Sequence, residues 1–271
     1  MKEYKDLISR ILSNGKEYKD RTGQGTLAVF GETIKVNLKN GFPIVTARKI
    51  AFKQAVGELT AFLRGYTKKS EFQSVGCNYW DKFDGPDIDD LGPIYGKQWV
   101  HWECPPFGKD SKTFLNQINV LVAHLKNEPH SRRHILTTWN PGELNQMVLP
   151  PCHLMAQFNV HNNTLDCIVT MRSCDIMLGL PYDLIVYALL QHILAYQCKY
   201  QIGTLQFNLA NAHIYLPHVM DAIRFEKLEP FKAPKLAIVE DERVNVWNFE
   251  PNMVWLENYN HGPEMKFKLF V

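Results

Sequence analysis

From Leu184 to Cys198 the chain is apolar nearly all the way round, the pattern of a helix buried on every side rather than laid on a surface. Such a helix must be covered by other layers, so this one run already demands a large core. It falls short of the roughly 18 apolar residues that a membrane span needs. With 271 residues, 45% of them hydrophobic, the chain can build that core. No internal repeat, low-complexity segment or linker interrupts residues 1–271, which points to a single domain.

Strand patterns accompany the helix. Thr26–Leu38 alternates, with Gly31 marking a turn or bulge. In Leu165–Arg172, Leu165, Cys167, Val169 and Met171 share one face, while Asp166, Ile168, Thr170 and Arg172 share the other. That division predicts one face on the core and one lining a polar cleft. Thr204–Ile214 reads as a further strand, followed by a helix from about Pro217. Phe114–Asn127 places Leu115, Ile118, Val122 and Leu125 on one helical face. The expected class is α+β, a sizeable mixed sheet with helices packed against it.

Charge narrows the function. Thirty Lys and Arg against 28 Asp and Glu give a net charge of +2, which argues against a nucleic-acid coat or an acidic-membrane binder. Any cationic site must be local. The start, Met1-Lys2-Glu3-Tyr4-Lys5-Asp6, lacks the apolar core of a signal peptide. Cys77, Cys104, Cys152, Cys167, Cys174 and Cys198 form no CxxC pair, and no Cys/His cluster has zinc-ligand spacing. A cytoplasmic protein with reduced thiols and no metal is expected.

Two dense spots carry the chemistry. Leu149-Pro150-Pro151-Cys152-His153 offers a thiol beside an imidazole, stiffened by two prolines. A thiolate is the reactive form, and nearby cations favour it. On local sequence alone a buried structural cysteine is the commoner outcome. Met171–Asp183 puts Arg172, Ser173, Asp175 and Gly179 just ahead of the apolar helix. Arg21, Arg132, Arg133 and Arg172 each stand near small or hydroxyl residues, a setting that suits phosphate oxygens. Taken singly, each arginine also reads as a solvated surface charge. Glu58 lies in a helical pattern with Ala55, Val56, Leu59 and Phe62, where a solvated face is the plain reading. Asp183 reads plainly as a helix N-cap, worth about 1 kcal/mol. Trp80 and Tyr95 read as core aromatics, and His213 and Tyr215 share one strand face as core or cleft residues.

Together these segments resemble the thymidylate synthases along essentially the whole chain. The resemblance rests on Arg21-Thr22-Gly23 to Phe30-Gly31, Gly41-Phe42-Pro43, Leu91 to Trp99, and Ser131-Arg132-Arg133. It continues through Trp139-Asn140, Pro151-Cys152-His153, Arg172-Ser173-Cys174-Asp175, Leu178-Gly179-Leu180-Pro181 and His213-Ile214-Tyr215. It implies a sheet-mediated homodimer in which Arg132 and Arg133 reach the partner's site. With Arg21, Arg172 and Ser173 they would hold a nucleotide 5′-phosphate, while His213 and Tyr215 would hold the 3′-hydroxyl. Trp80, Asp175, Leu178, Gly179, Tyr182 and Val271 would line the site of the co-substrate, 5,10-methylenetetrahydrofolate. Cys152 would add to C6 of the pyrimidine and make C5 nucleophilic. Glu58, His153, Tyr95 and Asn140 would order protons and water around the ring.

Two positions depart from the thymidylate pattern. The synthases carry asparagine where this chain has Asp183, and glutamine where it has Met171. An ionised aspartate only accepts hydrogen bonds, so it would face uracil O4 unfavourably and welcome the 4-amino group of cytosine. In both positions the chain is similar to the deoxycytidylate hydroxymethylases. The expectation is therefore hydroxymethylation of a cytidine monophosphate, most simply dCMP. The alternatives are C5 methylation of dCMP and thymidylate formation from dUMP. Arg48, Phe83 and Asn211-Ala212 also depart from residues common near the folate and the sugar.

Overall fold

The computed structural model describes residues 1–83, 88–104, 113–241 and 244–270. Among the described residues the strands are β1 (Lys16–Tyr18), β2 (Thr26–Asn37), β3 (Trp102–Cys104), β4 (Thr113–Leu115), β5 (Ile135–Thr137), β6 (His153–His161), β7 (Thr164–Asp175), β8 (Gln201–Tyr215), β9 (Lys235–Ile238) and β10 (Val254–Glu257). The helices are α1 (Lys2–Asn14), α2 (Phe52–Arg64), α3 (Lys69–Ser74), α4 (Tyr95–Val100), α5 (Gln117–Asn127), α6 (Leu180–Cys198) and α7 (Val219–Glu226).

The main sheet has six strands in the order β1-β2-β8-β7-β6-β5. Its pairs are antiparallel except β7 and β8, which run parallel and are joined by the α6 crossover. Parallel neighbours need a long crossover, and the apolar helix supplies it. Leu184 to Leu190 of α6 are all buried, as are Ile193, Leu194 and Ala195. On one side α6 lies on β7 and β8, and α2 packs across it from the other. Helix α4 crosses α2 at Gly96, where an added Cβ would lie 2.4 Å from the Phe62 Cα, so only glycine allows that approach.

The sheet has two unlike faces. Leu165, Cys167, Val169 and Met171 point into the core, together with Leu205, Phe207 and Leu209 of β8. On the opposite face Ile168 is half-exposed. The alternation expected for Leu165–Arg172 is therefore present, but only its end turns toward a cleft, where Arg172, Ser173 and Asp175 are found. Strand β2 runs through Gly31 without losing register, and the glycine absorbs a φ of 88°.

Two expected elements shift. Helix α5 starts at Gln117, not Phe114, because Asn116 caps it by accepting from the Asn119 amide. Phe114 and Leu115 belong to β4, where both are exposed. Helix α6 begins at Leu180, with Gly179 at its N-cap and Pro181 in its first turn. Proline is tolerated there because its missing N–H has no helical partner to lose. Asp183 is thus inside the helix, its own N–H bonded to the Gly179 carbonyl at 3.1 Å, and its side chain caps nothing. No helix among the described residues is long and apolar enough to cross a membrane.

Candidate active site

A cavity of about 730 Å³ opens where the C-terminal ends of β7 and β8 meet the start of α6. Cys152, Glu58, His153, Tyr95, Asp183, Arg21, Arg172, Ser173, His213 and Tyr215 all line it. So do Trp80, Asp175, Leu178, Gly179 and Tyr182. The six cysteines are free, and no group of three or more His, Cys, Asp or Glu among the described residues is placed to hold a metal ion.

Cys152 stands immediately before β6. Its N–H donates to the Tyr95 hydroxyl at 2.9 Å, and its carbonyl accepts from the Arg172 N–H at 2.9 Å. Arg172 braces the same loop with its side chain, donating from Nε to Pro151 O at 2.8 Å and from Nη2 to Pro150 O at 2.6 Å. Burial pushes the Cys152 thiol up, and Asp183 adds to that, while Arg172 and Arg21 pull the other way. The fixed strand end expected for the thiol is present.

Glu58 is buried in α2, not solvated. The Trp80 indole donates to its Oε1 at 2.8 Å. Burial lifts the carboxyl to about 7, against the opposing pull of Tyr79 and Trp80. A carboxyl so placed can give or take a proton near neutrality. Asp183 is raised well above the carboxylate range, first by burial and then by the charges of Glu58 and Asp175. Of its side chain, 19% stays open, on the cavity wall. His153 is buried and driven down to about 3, so its ring is neutral. Tyr95 stacks on that ring at 4.2 Å, and Tyr187 reaches its Nδ1 at 2.6 Å.

The phosphate and sugar side is built from turns. Asp20 accepts from the Thr22 hydroxyl at 2.6 Å and the Gly25 N–H at 2.9 Å, which fixes the loop carrying Arg21. Parallel pairing sets Ser173 opposite Asn211 and Asp175 opposite His213. Asn211 holds His213 Nδ1 at 2.9 Å. Asp175 Oδ1 accepts from the N–H groups of Met177 and Leu178, shaping the turn before α6.

Three expected residues are not on the cavity wall. Arg132 and Arg133 are exposed just ahead of β5 and do not line it. Asn140 is engaged elsewhere, its amide donating to Glu143 at 2.8 Å and Gln98 at 3.2 Å. Val271 lies outside the described residues, although Leu269 and Phe270 before it line the cavity. Reading the sequence missed Tyr79, Gln54, Lys19, Lys82 and Tyr187. Of these, Tyr187 alone had a signal, being one helical turn after Asp183 on the same face.

A profile described as "Thymidylate synthase" matches residues 2–271. The chain belongs to the thymidylate synthase family. It is 42% identical to the thymidylate synthase of Wigglesworthia glossinidia brevipalpis over 266 residues, covering 98% of each chain. It is 40% identical to that of Coxiella burnetii (strain Dugway 5J108-111) over the same length and share. Folate-dependent C5 transfer to a pyrimidine nucleotide fits the family. Both relatives are named plainly as thymidylate synthases, which speaks for the thymidylate alternative rather than the hydroxymethylase branch.

Proposed function

We propose that this member of the family acts on a cytidine monophosphate, dCMP in the simplest case, and releases the 5-hydroxymethyl nucleotide. The observation that carries the reading is Asp183: a largely covered carboxyl on the cavity wall, 3.9 Å from neutral His153, which burial raises well above the ordinary carboxylate range and so favours in its protonated form. The burial changes the argument from charge. A neutral carboxylic acid both donates and accepts, so it can pair with either base. What it adds over an amide is a transferable proton. Cytosine has a basic N3 and an electron-releasing 4-amino group, so its C6 is the poorer target for a thiolate. Proton donation from Asp183 to N3 compensates for that, and uracil has no basic ring nitrogen to receive it.

The remaining residues take their places around that step. Arg21, Arg172 and Ser173 suit the 5′-phosphate, and His213 with Tyr215 suits the sugar hydroxyl. Cys152 adds to C6, which makes C5 nucleophilic. Methylenetetrahydrofolate supplies a one-carbon unit at the oxidation level of formaldehyde. Trp80, Leu178, Tyr182 and Phe270, with Asp175 at a polar edge, fit its flat heterocycle. Glu58 accepts the C5 proton. Arg132 and Arg133 would complete the phosphate site of a second copy in a homodimer joined through the face of the sheet that carries the exposed Ile168.

The thymidylate reading has the names of the relatives in its favour. One assay separates the two. The enzyme is incubated with methylenetetrahydrofolate and dCMP, CMP or dUMP while dihydrofolate absorbance and product mass are followed. Hydroxymethyl-dCMP without dihydrofolate is expected. Turnover of dUMP but not dCMP, or dihydrofolate formation, overturns the reading.

A further inference from the structure

Tyr79 has no role in the scheme so far, yet it lines the cavity beside the groups that do. It starts a short 3-10 turn, Tyr79–Lys82, and its ring meets that of Tyr182 at 5.3 Å. Its hydroxyl oxygen is buried and closes no hydrogen bond of ordinary geometry among the described residues. A buried hydroxyl without a partner is costly, and native structures seldom retain one without a use. Phenylalanine would make the same ring contact with Tyr182, so packing does not explain the oxygen.

The hydroxyl lies beside Glu58 and Cys77. Trp80 holds Oε1 of Glu58 at 2.8 Å, which fixes that carboxyl in one orientation. Both residues line the cavity and the Tyr79 hydroxyl is close enough to Glu58 to counter the rise of its carboxyl, but no hydrogen bond of ordinary geometry joins them. A bridging water satisfies such a pair.

We propose that Tyr79 and Glu58 together hold the water that becomes the new hydroxyl group, which makes Tyr79 a residue that positions the second substrate. The inference rests on the hydroxymethyl reading above. After loss of the C5 proton and of tetrahydrofolate, the nucleotide carries an exocyclic methylene at C5 and the Cys152 sulfur at C6. Glu58 hands the C5 proton to the amine nitrogen of the departing tetrahydrofolate and is again a carboxylate. The water oxygen then forms a bond to the methylene carbon, and one water proton passes to that carboxylate. The electron pair of the methylene double bond moves into the ring. The C6–S bond then breaks, C5=C6 re-forms, and Cys152 leaves as the thiolate. No oxidant or reductant is needed. The Tyr79 hydroxyl orients the water and is unchanged at the end.

The test compares two steps in one reaction with dCMP tritiated at C5 and methylenetetrahydrofolate in ¹⁸O-labelled water. Tritium release reports passage through C5 deprotonation, and labelled hydroxymethyl-dCMP reports water addition. In Tyr79→Phe the ratio of product to released tritium should fall about tenfold, the loss of one oriented hydrogen bond. The nucleotide–enzyme adduct should accumulate in the intact-protein mass. The ratio does not depend on how much of the variant folds, so a purely structural role leaves it unchanged. An unchanged ratio overturns the inference while leaving hydroxymethylation standing. Methyl product with dihydrofolate from the unmodified enzyme overturns the reading it rests on instead.

Discussion

Asp183 Oδ1 stands 3.9 Å from Nε2 of His153, and the other ring nitrogen, Nδ1, meets the Tyr187 hydroxyl at 2.6 Å. In the tautomer where Tyr187 donates to Nδ1, the single proton of the neutral ring sits on Nε2, the nitrogen nearer the carboxyl. The contact is that of a dipole with a carboxyl, not of an ion pair, because burial holds the ring down at about 3. Asp183 and Tyr187 are one turn apart on α6, so one rigid element sets both ends of the arrangement.

Asp183→Asn keeps the shape and removes the transferable proton. Turnover of dCMP should fall about 100-fold, the lower range for losing a general acid, while dUMP is handled as well or better. The measurement is kcat/KM for both nucleotides with methylenetetrahydrofolate. Equal losses for the two bases would mean that Asp183 does not select between them. In the unsubstituted enzyme, dCMP turnover should decline as rising pH ionises Asp183, and dUMP turnover in the variant should lack that limb.

Tyr187→Phe leaves the buried Nδ1 of His153 without its partner. An unpaired buried acceptor costs about 1–3 kcal/mol, equivalent to about 2–6 °C in Tm for a chain of this size. Because the ring loses its orientation toward Asp183, kcat for dCMP should also fall about tenfold. Thermal unfolding and steady-state kinetics check the two effects separately. A fall in Tm with kcat unchanged would confine Tyr187 to stability.

Much of this arrangement was legible in the sequence, and the misses have physical causes. Leu165–Arg172 and Thr204–Ile214 read as strands because period two survives wherever one face is buried. Asp183 read as a cap because it directly precedes the apolar run, whereas the helix already begins at Leu180, with Pro181 tolerated in its first turn. A carboxylate in a helical pattern, like Glu58, reads as solvated. Its burial comes from Trp80, 22 residues away, and no local pattern carries that. Leu115 fitted the helical face of Phe114–Asn127 by spacing, but the Asn116 cap resets the helix beyond it. Arg132 and Arg133 were placed by family resemblance, and the single chain leaves them facing outward.

Glu58 makes stability depend on pH. Burial raises its carboxyl from 4.5 to about 7, so the folded state binds this proton more tightly than the unfolded chain. The corresponding stabilisation, about 3 kcal/mol, is present below pH 4.5 and is lost progressively as pH rises to about 7. Glu58→Gln removes that slope. In urea unfolding, the stability of the variant relative to wild type should therefore increase across this window. A difference that stays flat would mean that Glu58 is not protonated in the folded enzyme. Activity should fall by about 100-fold or more, since the amide cannot accept the C5 proton.

Shared sites give the homodimer proposal a test that needs no structure of the assembly. Arg132→Glu and Cys152→Ser should each be nearly inactive alone, the first for lack of a phosphate contact and the second for lack of the thiol. If Arg132 serves the partner's cavity, a mixed dimer contains one site with both defects and one with neither. Random exchange of equal amounts should then restore roughly a quarter of wild-type activity. If Arg132 instead serves its own chain, every site in the mixed dimer keeps one defect and no activity returns. The mixture is assayed after mild denaturation and refolding, with each variant refolded alone as the control.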